Sequence, residues 1–239
     1  MIATLTAAAL IAAATASPAP PPAAASAMPA AVLAPAAVIA NYKAALARLK
    51  EPRVFAVEYT MQQTGPRTLE QTHRIFRSGR DERDETLAVN GSRPKKPLVR
   101  IFRGRPYRYT VAALAPKPGA YDFFYAGPHR NGKHVDYVFD LVPHSARPPF
   151  AFTRVIVDGV TFLPQSVSFA TAQHGGQGSV TFAKAQKYWV ARSAAARADV
   201  AGGVAREQIA FSRWRFPVTL PRSTFAAPRP LPTLPPTLP

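Results

Sequence analysis

VFAVEYTMQQ, residues 54–63, is the stretch that decides the fold class of this chain. Successive side chains of a strand point to opposite faces, so a half-buried strand alternates between apolar and polar residues. One parity of the stretch is apolar or aromatic throughout: Phe55, Val57, Tyr59 and Met61. The other parity carries Ala56, Glu58, Thr60 and Gln62. The period of two predicts a strand with one buried face, and Gly65-Pro66 marks the turn that ends it.

The preceding stretch, PAAVIANYKAALARLK at residues 35–50, has helical spacing instead. Its apolar side chains recur on one helical face: Val38, Tyr42, Leu46 and Leu49. Pro35 is tolerated in the first turn of a helix, whereas Pro52 cannot continue one. We therefore predict one amphipathic helix before the strand, and we expect it to lie as a lid over part of the sheet.

Strand-like runs continue downstream, separated by turn signals such as Asn90-Gly91, Asn131-Gly132 and Gly202-Gly203. The runs fall at about residues 73–77, 98–111, 122–125, 135–141, 150–157, 160–170, 179–190 and 204–216. Many short strands behind a single helix indicate a mainly β (α+β) fold, in which an antiparallel sheet curves around its own apolar face.

The composition fits a globular protein with an unusual charge. Of 239 residues, 47% are hydrophobic and 18% are charged, and the formal net charge is +17. This hydrophobic content is too high for a disordered chain. The sequence has no cysteine, which excludes disulfides, thiolate zinc sites and a cysteine nucleophile.

The two ends differ in composition from the rest of the chain. The apolar run from Thr4 to Thr15 is shorter than the about 20 residues of a membrane-spanning helix, and A-x-A sites follow it. This layout predicts a signal peptide at 1–27, although the lack of Lys or Arg before the run leaves a disordered Ala/Pro-rich tail as the alternative. We then expect an Ala/Pro-rich linker at 28–35, one domain at 36–226 and a Pro-rich disordered tail at 227–239. The mature protein is expected to be soluble and periplasmic.

RPKKPLVRIFRGRPYRY, residues 93–109, is the most basic stretch. Its cations are Arg93, Lys95, Lys96, Arg100, Arg103, Arg105 and Arg108. Such a run, with interleaved tyrosines, could bind single-stranded nucleic acid, an anionic membrane surface, or only water. Because an exported protein rarely meets nucleic acid, we expect the run to be a solvated basic strand that faces anionic lipid headgroups, lipopolysaccharide or other wall polymers.

The alternating strands supply candidates for an apolar ligand site, since one helix of this length cannot cover a large curved sheet. The candidate lining residues are Phe55, Val57, Tyr59, Met61, Tyr137, Phe139, Phe152, Phe169 and Phe182. The alternative is that each of them is ordinary core.

Signals for other chemistry are weak. His129, His134 and Asp136 are close enough in sequence to share a metal, but Asn131-Gly132 between them predicts a hairpin turn with solvated histidines. DERDE, residues 81–85, alternates in sign with its neighbouring arginines and is expected to be a solvated loop. With no G-x-S-x-G elbow and no phosphate-binding glycine loop, we expect neither catalysis nor a metal or cofactor.

Three segments resemble the LolA/LolB-type outer-membrane lipoprotein carriers. They are the helix and first strand from Ala37 to Gln63, the VIVDGVTFLPQSVSF hairpin with Asp158, Leu163 and Pro164, and the closing segment from Trp214 to Phe225. The resemblance covers about residues 36–226 and implies an incomplete antiparallel β-barrel whose cavity accepts acyl chains. Since LolB-type members are lipoproteins and this sequence has no cysteine to acylate, a soluble LolA-like or sensor-like member fits better.

The resemblance implies a non-catalytic, monomeric carrier or sensor of a lipid or an acylated protein, with a role in lipoprotein sorting to the outer membrane. The alternative is a module with a filled core that binds polyanions or anionic membrane surfaces through the basic stretch. Neither interpretation calls for a nucleic-acid partner.

Overall fold

The computed structural model describes residues 32–96, 98–104, 109–132, 134–145, 149–172, 175–217 and 219–226. The predicted signal peptide, residues 28–31 of the predicted linker, and the predicted tail lie outside these ranges, as do Arg105 and Arg108 of the basic stretch.

The described chain contains one long helix, a short helix and eleven strands. In chain order they are α1 (Pro35–Arg48), β1 (Val54–Thr64), β2 (Leu69–Ser78), β3 (Asp81–Val89), β4 (Leu98–Phe102), α2 (Val111–Leu114), β5 (Tyr121–Asn131), β6 (His134–Pro143), β7 (Phe150–Val157), β8 (Pro164–Thr171), β9 (Gln177–Ala185), β10 (Tyr188–Val200) and β11 (Gly203–Arg215). A single turn of 3₁₀-helix follows at Arg222–Phe225.

The strands form one antiparallel sheet in the order β4-β3-β2-β1-β11-β10-β9-β8-β7-β6-β5. Nearly every strand pairs with its neighbour in sequence, and the exception is the pairing of β1 with β11, which joins the first strand to the last. The outermost strands β4 and β5 do not pair with each other in the described part of the chain. The prediction of a mainly β, incomplete antiparallel barrel is therefore confirmed.

Helix α1 packs its predicted face against the β5–β10 half of the sheet. Val38 and Tyr42 are fully buried, and Leu46 and Leu49 pack against the same cluster while half-buried. The Tyr42 hydroxyl donates to the carbonyl oxygen of Pro116 at 2.8 Å. Before the helix, the backbone N–H of Leu33 donates to the Tyr137 hydroxyl at 3.0 Å. In the described residues no helix is long and apolar enough to cross a membrane.

Several predicted elements differ in the structure. In the predicted run at 98–111, β4 ends at Phe102 and α2 begins at Val111. The run at 160–170 is a strand only from Pro164, and the run at 179–190 divides into β9 and β10 around a turn at Gln186. DERDE, predicted to be a solvated loop, begins strand β3. It can do so because two of its acids, Glu82 and Asp84, are paired with cross-strand neighbours on β2, which removes the cost of burying them unpaired.

Candidate functional site

The pairing register defines the inner face of the sheet, since directly opposed residues of antiparallel strands point to the same side. One row across this face, from β8 to β1, consists of Val167, Val180, Ala194, Ile209 and Met61. The next row consists of Phe169, Gly178, Ala196, Glu207 and Gln63. Val167 and Val180 are buried in the main core, so this side faces α1 and the interior.

The structure places all nine candidate lining residues on the inner face, but most of them are filled core. Five are buried: Phe55, Val57, Tyr137, Phe139 and Phe182. Four are half-buried: Tyr59, Met61, Phe152 and Phe169. Their role in binding a ligand therefore stays a prediction, and it requires that part of this packing can open.

Two separate clusters divide these residues. Tyr137, Phe139 and Phe182 belong to the cluster beneath α1, against which Phe152 and Phe169 also pack. Phe55 and Val57 form a second cluster with Ile75, to which Tyr59 and Trp214 contribute. The second cluster lies mainly on β1, β2 and β11, and Phe211 of β11 packs against both clusters.

An inner cavity of about 220 Å³ lies on the inner face, beside the second row. Its inner-face lining residues include Gln63, Phe169, Ala196, Ala198, Ala205 and Glu207. Small side chains on β10 and β11 leave this space. A Cβ atom on Gly178 would lie 2.6 Å from Cζ of Phe169 and 2.3 Å from the Ala195 carbonyl oxygen, so only glycine fits under the phenylalanine ring.

A larger cavity of about 620 Å³ lies on the opposite side of the same strands. Ser168, Ser179, Ala195 and Gln208 line it, and they form one register row of the outer face. Arg197 and Arg206 lie at its edge. Both arginines also line the inner cavity, and Phe169, Ala196 and Glu207 are common to the two cavities as well.

The inner face beside β1 carries an ionic network that the sequence analysis missed. The Arg77 and Glu82 side chains are 0% exposed and form an ion pair of 2.8 Å between Nη1 and Oε2. His73 Nδ1 lies 2.8 Å from Oδ1 of Asp84, and its ring stacks on Tyr59 at 4.7 Å between centroids. Burial and the neighbouring carboxylates raise the pKa of Tyr59, so it stays a neutral hydroxyl. The sequence offered one signal for this network: His73 and Arg77 have the same parity on β2. Their partners lie on β3, so this signal does not identify the ion pairs.

The described cations of the basic stretch are exposed, and Arg103 also makes contacts within the protein. Arg93, Lys95, Lys96 and Arg100 are exposed. Arg103 pairs with Asp81 and donates to the carbonyl oxygen of Phe225 at 2.9 Å, which fixes the segment after β11.

The three residues considered as metal ligands differ in their surroundings. His129 and His134 are exposed on the two arms of the β5–β6 hairpin. Asp136 is buried and accepts hydrogen bonds from Nδ2 of Asn131 at 3.1 Å and from the backbone N–H of Gly159 at 3.3 Å. The described residues contain no group of three or more His, Asp or Glu placed to hold a metal.

Comparison with known proteins yields similarities of structure only. No family model matches the chain, and no curated protein matches its sequence. A LolA superfamily protein from Nitrosomonas europaea is similar, with 11% identity, a TM-score of 0.46 and coverage of 82% of this chain and 99% of that one. A domain described as an outer membrane lipoprotein-sorting protein, from Vibrio parahaemolyticus, has 15% identity, a TM-score of 0.45 and coverage of 78% and 95%.

A DUF1329 family protein from Desulfovibrio piger is also similar, with 13% identity, a TM-score of 0.45 and coverage of 79% and 97%. Proteins of the LolA type are thus among the solved structures that this chain is similar to, in keeping with the resemblance seen in the sequence. At these identities the likeness concerns the fold.

Proposed function

We propose that this protein is a periplasmic, non-catalytic carrier or sensor that holds an acyl chain, or the acyl chain of a lipidated protein, on the inner face of its half-barrel. The observation that supports this proposal is the inner face itself: from β5 to β1 it is largely apolar, with Glu207 and Gln63 among its polar residues, and a cavity lies beside Phe169. A role in lipoprotein sorting to the outer membrane, implied by the sequence resemblance, is part of the same proposal.

The binding energy would come from hydrophobic burial, at about 25 cal/mol per Å² of apolar surface removed from water. The inner cavity of about 220 Å³ is smaller than the about 300–1,000 Å³ of typical ligand pockets. A long acyl chain therefore starts in this cavity and continues only if α1 moves away. Helix α1 suits a movable lid because Val38 and Tyr42 are its only fully buried residues.

The proposal includes no chemical step. The ionisable groups of the inner face beside β1 satisfy one another, His73 with Asp84 and Arg77 with Glu82. Each pair joins β2 to β3, and a buried ion pair whose charges neutralise each other is suited to stabilising the pairing of these strands. The exposed cations at residues 93–96 would instead draw the protein toward anionic headgroups, which increases the rate of approach more than the affinity.

The first test is mass spectrometry of an organic extract from protein purified out of the periplasm without detergent. We expect stoichiometric phospholipid, fatty acid or acylated peptide. A protein with no extractable ligand, and no uptake of the apolar dye N-phenyl-1-naphthylamine, would contradict the proposal.

The second test distinguishes the two faces with neighbouring residues of one strand. The pairing register directs the Ala196 side chain to the inner face and the Ala195 side chain to the outer face. We expect Ala196→Trp to lower dye uptake at least about tenfold, because it fills the inner cavity with loss of more than about 1.4 kcal/mol of binding. The matched Ala195→Trp variant should leave uptake unchanged. Loss of uptake in Ala195→Trp alone would move the site to the outer face.

A further inference from the structure

Glu207 places a carboxylate on the apolar inner face. It lies in β11, opposite Ala196 of β10 and Gln63 of β1. The register puts it in the same inner row as Phe169 and Gly178. It lines the inner cavity together with Phe169 and three alanines, and polar residues, among them Gln63 and Gln177, line the rest of it. An acidic group thus stands beside an apolar part of the cavity.

The surroundings leave room for a ligand next to this carboxylate. Beside Glu207 and on its side away from Ile209, β10 and β11 present methyl side chains on the inner face: Ala196, Ala198 and Ala205. At the other end of the row the Phe169 ring covers Gly178. A ligand whose tail runs along the inner face therefore ends with its polar head within reach of Glu207.

Within the described residues, no cation and no hydrogen-bond donor contacts the Glu207 carboxylate. Three other acids with little exposure on β1 and β3 have basic partners: Glu58 with Arg74, Glu82 with Arg77 and Asp84 with His73. Burial raises the pKa of Glu207, because nothing described nearby offsets the lost hydration of its charged form. Arg197 and Arg206 line the same cavity, but their register positions in β10 and β11 direct their side chains to the outer face, and within the described residues neither forms an ion pair with Glu207.

We propose that Glu207 binds the polar head of the ligand and selects an ammonium head over an anionic one. This inference rests on the proposed function, which supplies the apolar tail. The missing counter-charge would then come from the ligand. Since the net charge of the protein attracts anions at long range, a preference for a cationic head has to arise from this local carboxylate.

The test displaces N-phenyl-1-naphthylamine with two ligands that share a twelve-carbon tail, dodecylammonium and dodecanoate, below their micelle concentrations at pH 7.5. We expect the wild-type protein to bind dodecylammonium more tightly than Glu207→Gln does, by about three- to tenfold, as for a partly exposed ion pair. Dodecanoate should bind to Glu207→Gln as tightly as to the wild-type protein, or more tightly. Glu70→Gln is the matched control, since Glu70 is an exposed glutamate on the outer face.

The outcomes separate the two proposals. If both ligands displace the dye and Glu207→Gln leaves their ratio unchanged, the role of Glu207 is wrong and the acyl-binding function stands. If neither ligand displaces the dye from the wild-type protein, the proposed function fails and this inference fails with it. A changed ratio in Glu70→Gln as well would assign the effect to net charge and overturn the role of Glu207. Thermal unfolding of each variant verifies that the folded protein is being compared.

Discussion

Two acids of the inner face differ in whether a basic side chain is paired with them. Glu82 is fully buried, and Arg77 lies 2.8 Å away with no exposure of its own. Removing one member of such a pair costs about 3–5 kcal/mol, because the other charge is left uncompensated. Glu207 is half-buried on the same face with no described partner. The first carboxylate stabilises the pairing of β2 with β3, and the second is the group that we propose binds a ligand.

The raised pKa of Glu207 makes a prediction about stability in the absence of ligand. Below the ordinary glutamate value of 4.5, the group is protonated in both the folded and the unfolded chain, so its charge costs nothing. As the pH rises through the folded-state pKa, the folded protein has to ionise a poorly solvated group and loses stability. We expect Glu207→Gln to be more stable than the wild type at pH 7, by less than about 1 kcal/mol given its solvent exposure.

Urea unfolding at pH 7 and at pH 4 measures this difference. The gain in the free energy of unfolding should be present at pH 7 and absent at pH 4. A gain of equal size at both pH values would mean that the amide packs better than the carboxyl group, and ionisation would then not be its cause.

At the scale of elements, α1 is the part whose attachment to the sheet can be tested most directly. Burial raises the pKa of Tyr42, so its hydroxyl stays protonated and donates to Pro116. Tyr42→Phe keeps the ring and leaves a buried carbonyl oxygen without this donor. We expect a loss of about 1–3 kcal/mol in the free energy of unfolding, measured by urea denaturation.

Tyr188→Phe is the matched control for this change. The Tyr188 ring packs on Phe216 at 4.7 Å between centroids, and its hydroxyl makes no hydrogen bond within the described residues. Tyr188→Phe should lower the free energy of unfolding by less than about 0.5 kcal/mol. Equal losses in both variants would show that the Tyr42 hydrogen bond adds nothing to the attachment of α1.

Strand β3 shows where element prediction from sequence fails. Strands β1 and β6 were predictable because their apolar and polar residues alternate, and α1 was predictable from the spacing of Val38 and Tyr42. In β3 the inward residues Glu82 and Asp84 are charged, so the strand has no apolar parity to detect. The partners that allow these acids to point inward, Arg77 and His73, lie on another strand. A pattern read within one segment cannot find them.

At the scale of the whole molecule, the exposed cations of the basic stretch and the inner cavity lie on different strands. The exposed cations Arg93, Lys95 and Lys96 lie just before edge strand β4, and the inner cavity lies on β8–β11. Each basic residue near an anionic membrane contributes about 1 kcal/mol of attraction. We expect the Arg93→Glu, Lys95→Glu, Lys96→Glu triple variant to lose at least about 100-fold in binding to phosphatidylglycerol vesicles at low salt, with dye uptake unchanged.

The control is Lys184→Glu, Lys187→Glu, at the exposed turn between β9 and β10. Co-sedimentation with vesicles measures both variants, and phosphatidylcholine vesicles serve as the neutral reference. Because the test variant reverses three charges and the control two, an equal loss per reversed charge would assign the attraction to net charge. A parallel loss of dye uptake in the triple variant would support the alternative, in which the basic stretch is itself the binding site.

The sequence alone determined the properties that arise from neighbouring residues: the amphipathic helix, the alternating strands, the turns between them, the excess of positive charge and the mainly β class. These follow from local periodicity, which the order of residues contains directly. Only the tertiary structure decided that β1 pairs with β11, that most candidate lining residues are filled core, and that Glu207 shares an inner row with Phe169. Such relations join residues far apart in the chain, and the register that creates them depends on packing across the entire sheet.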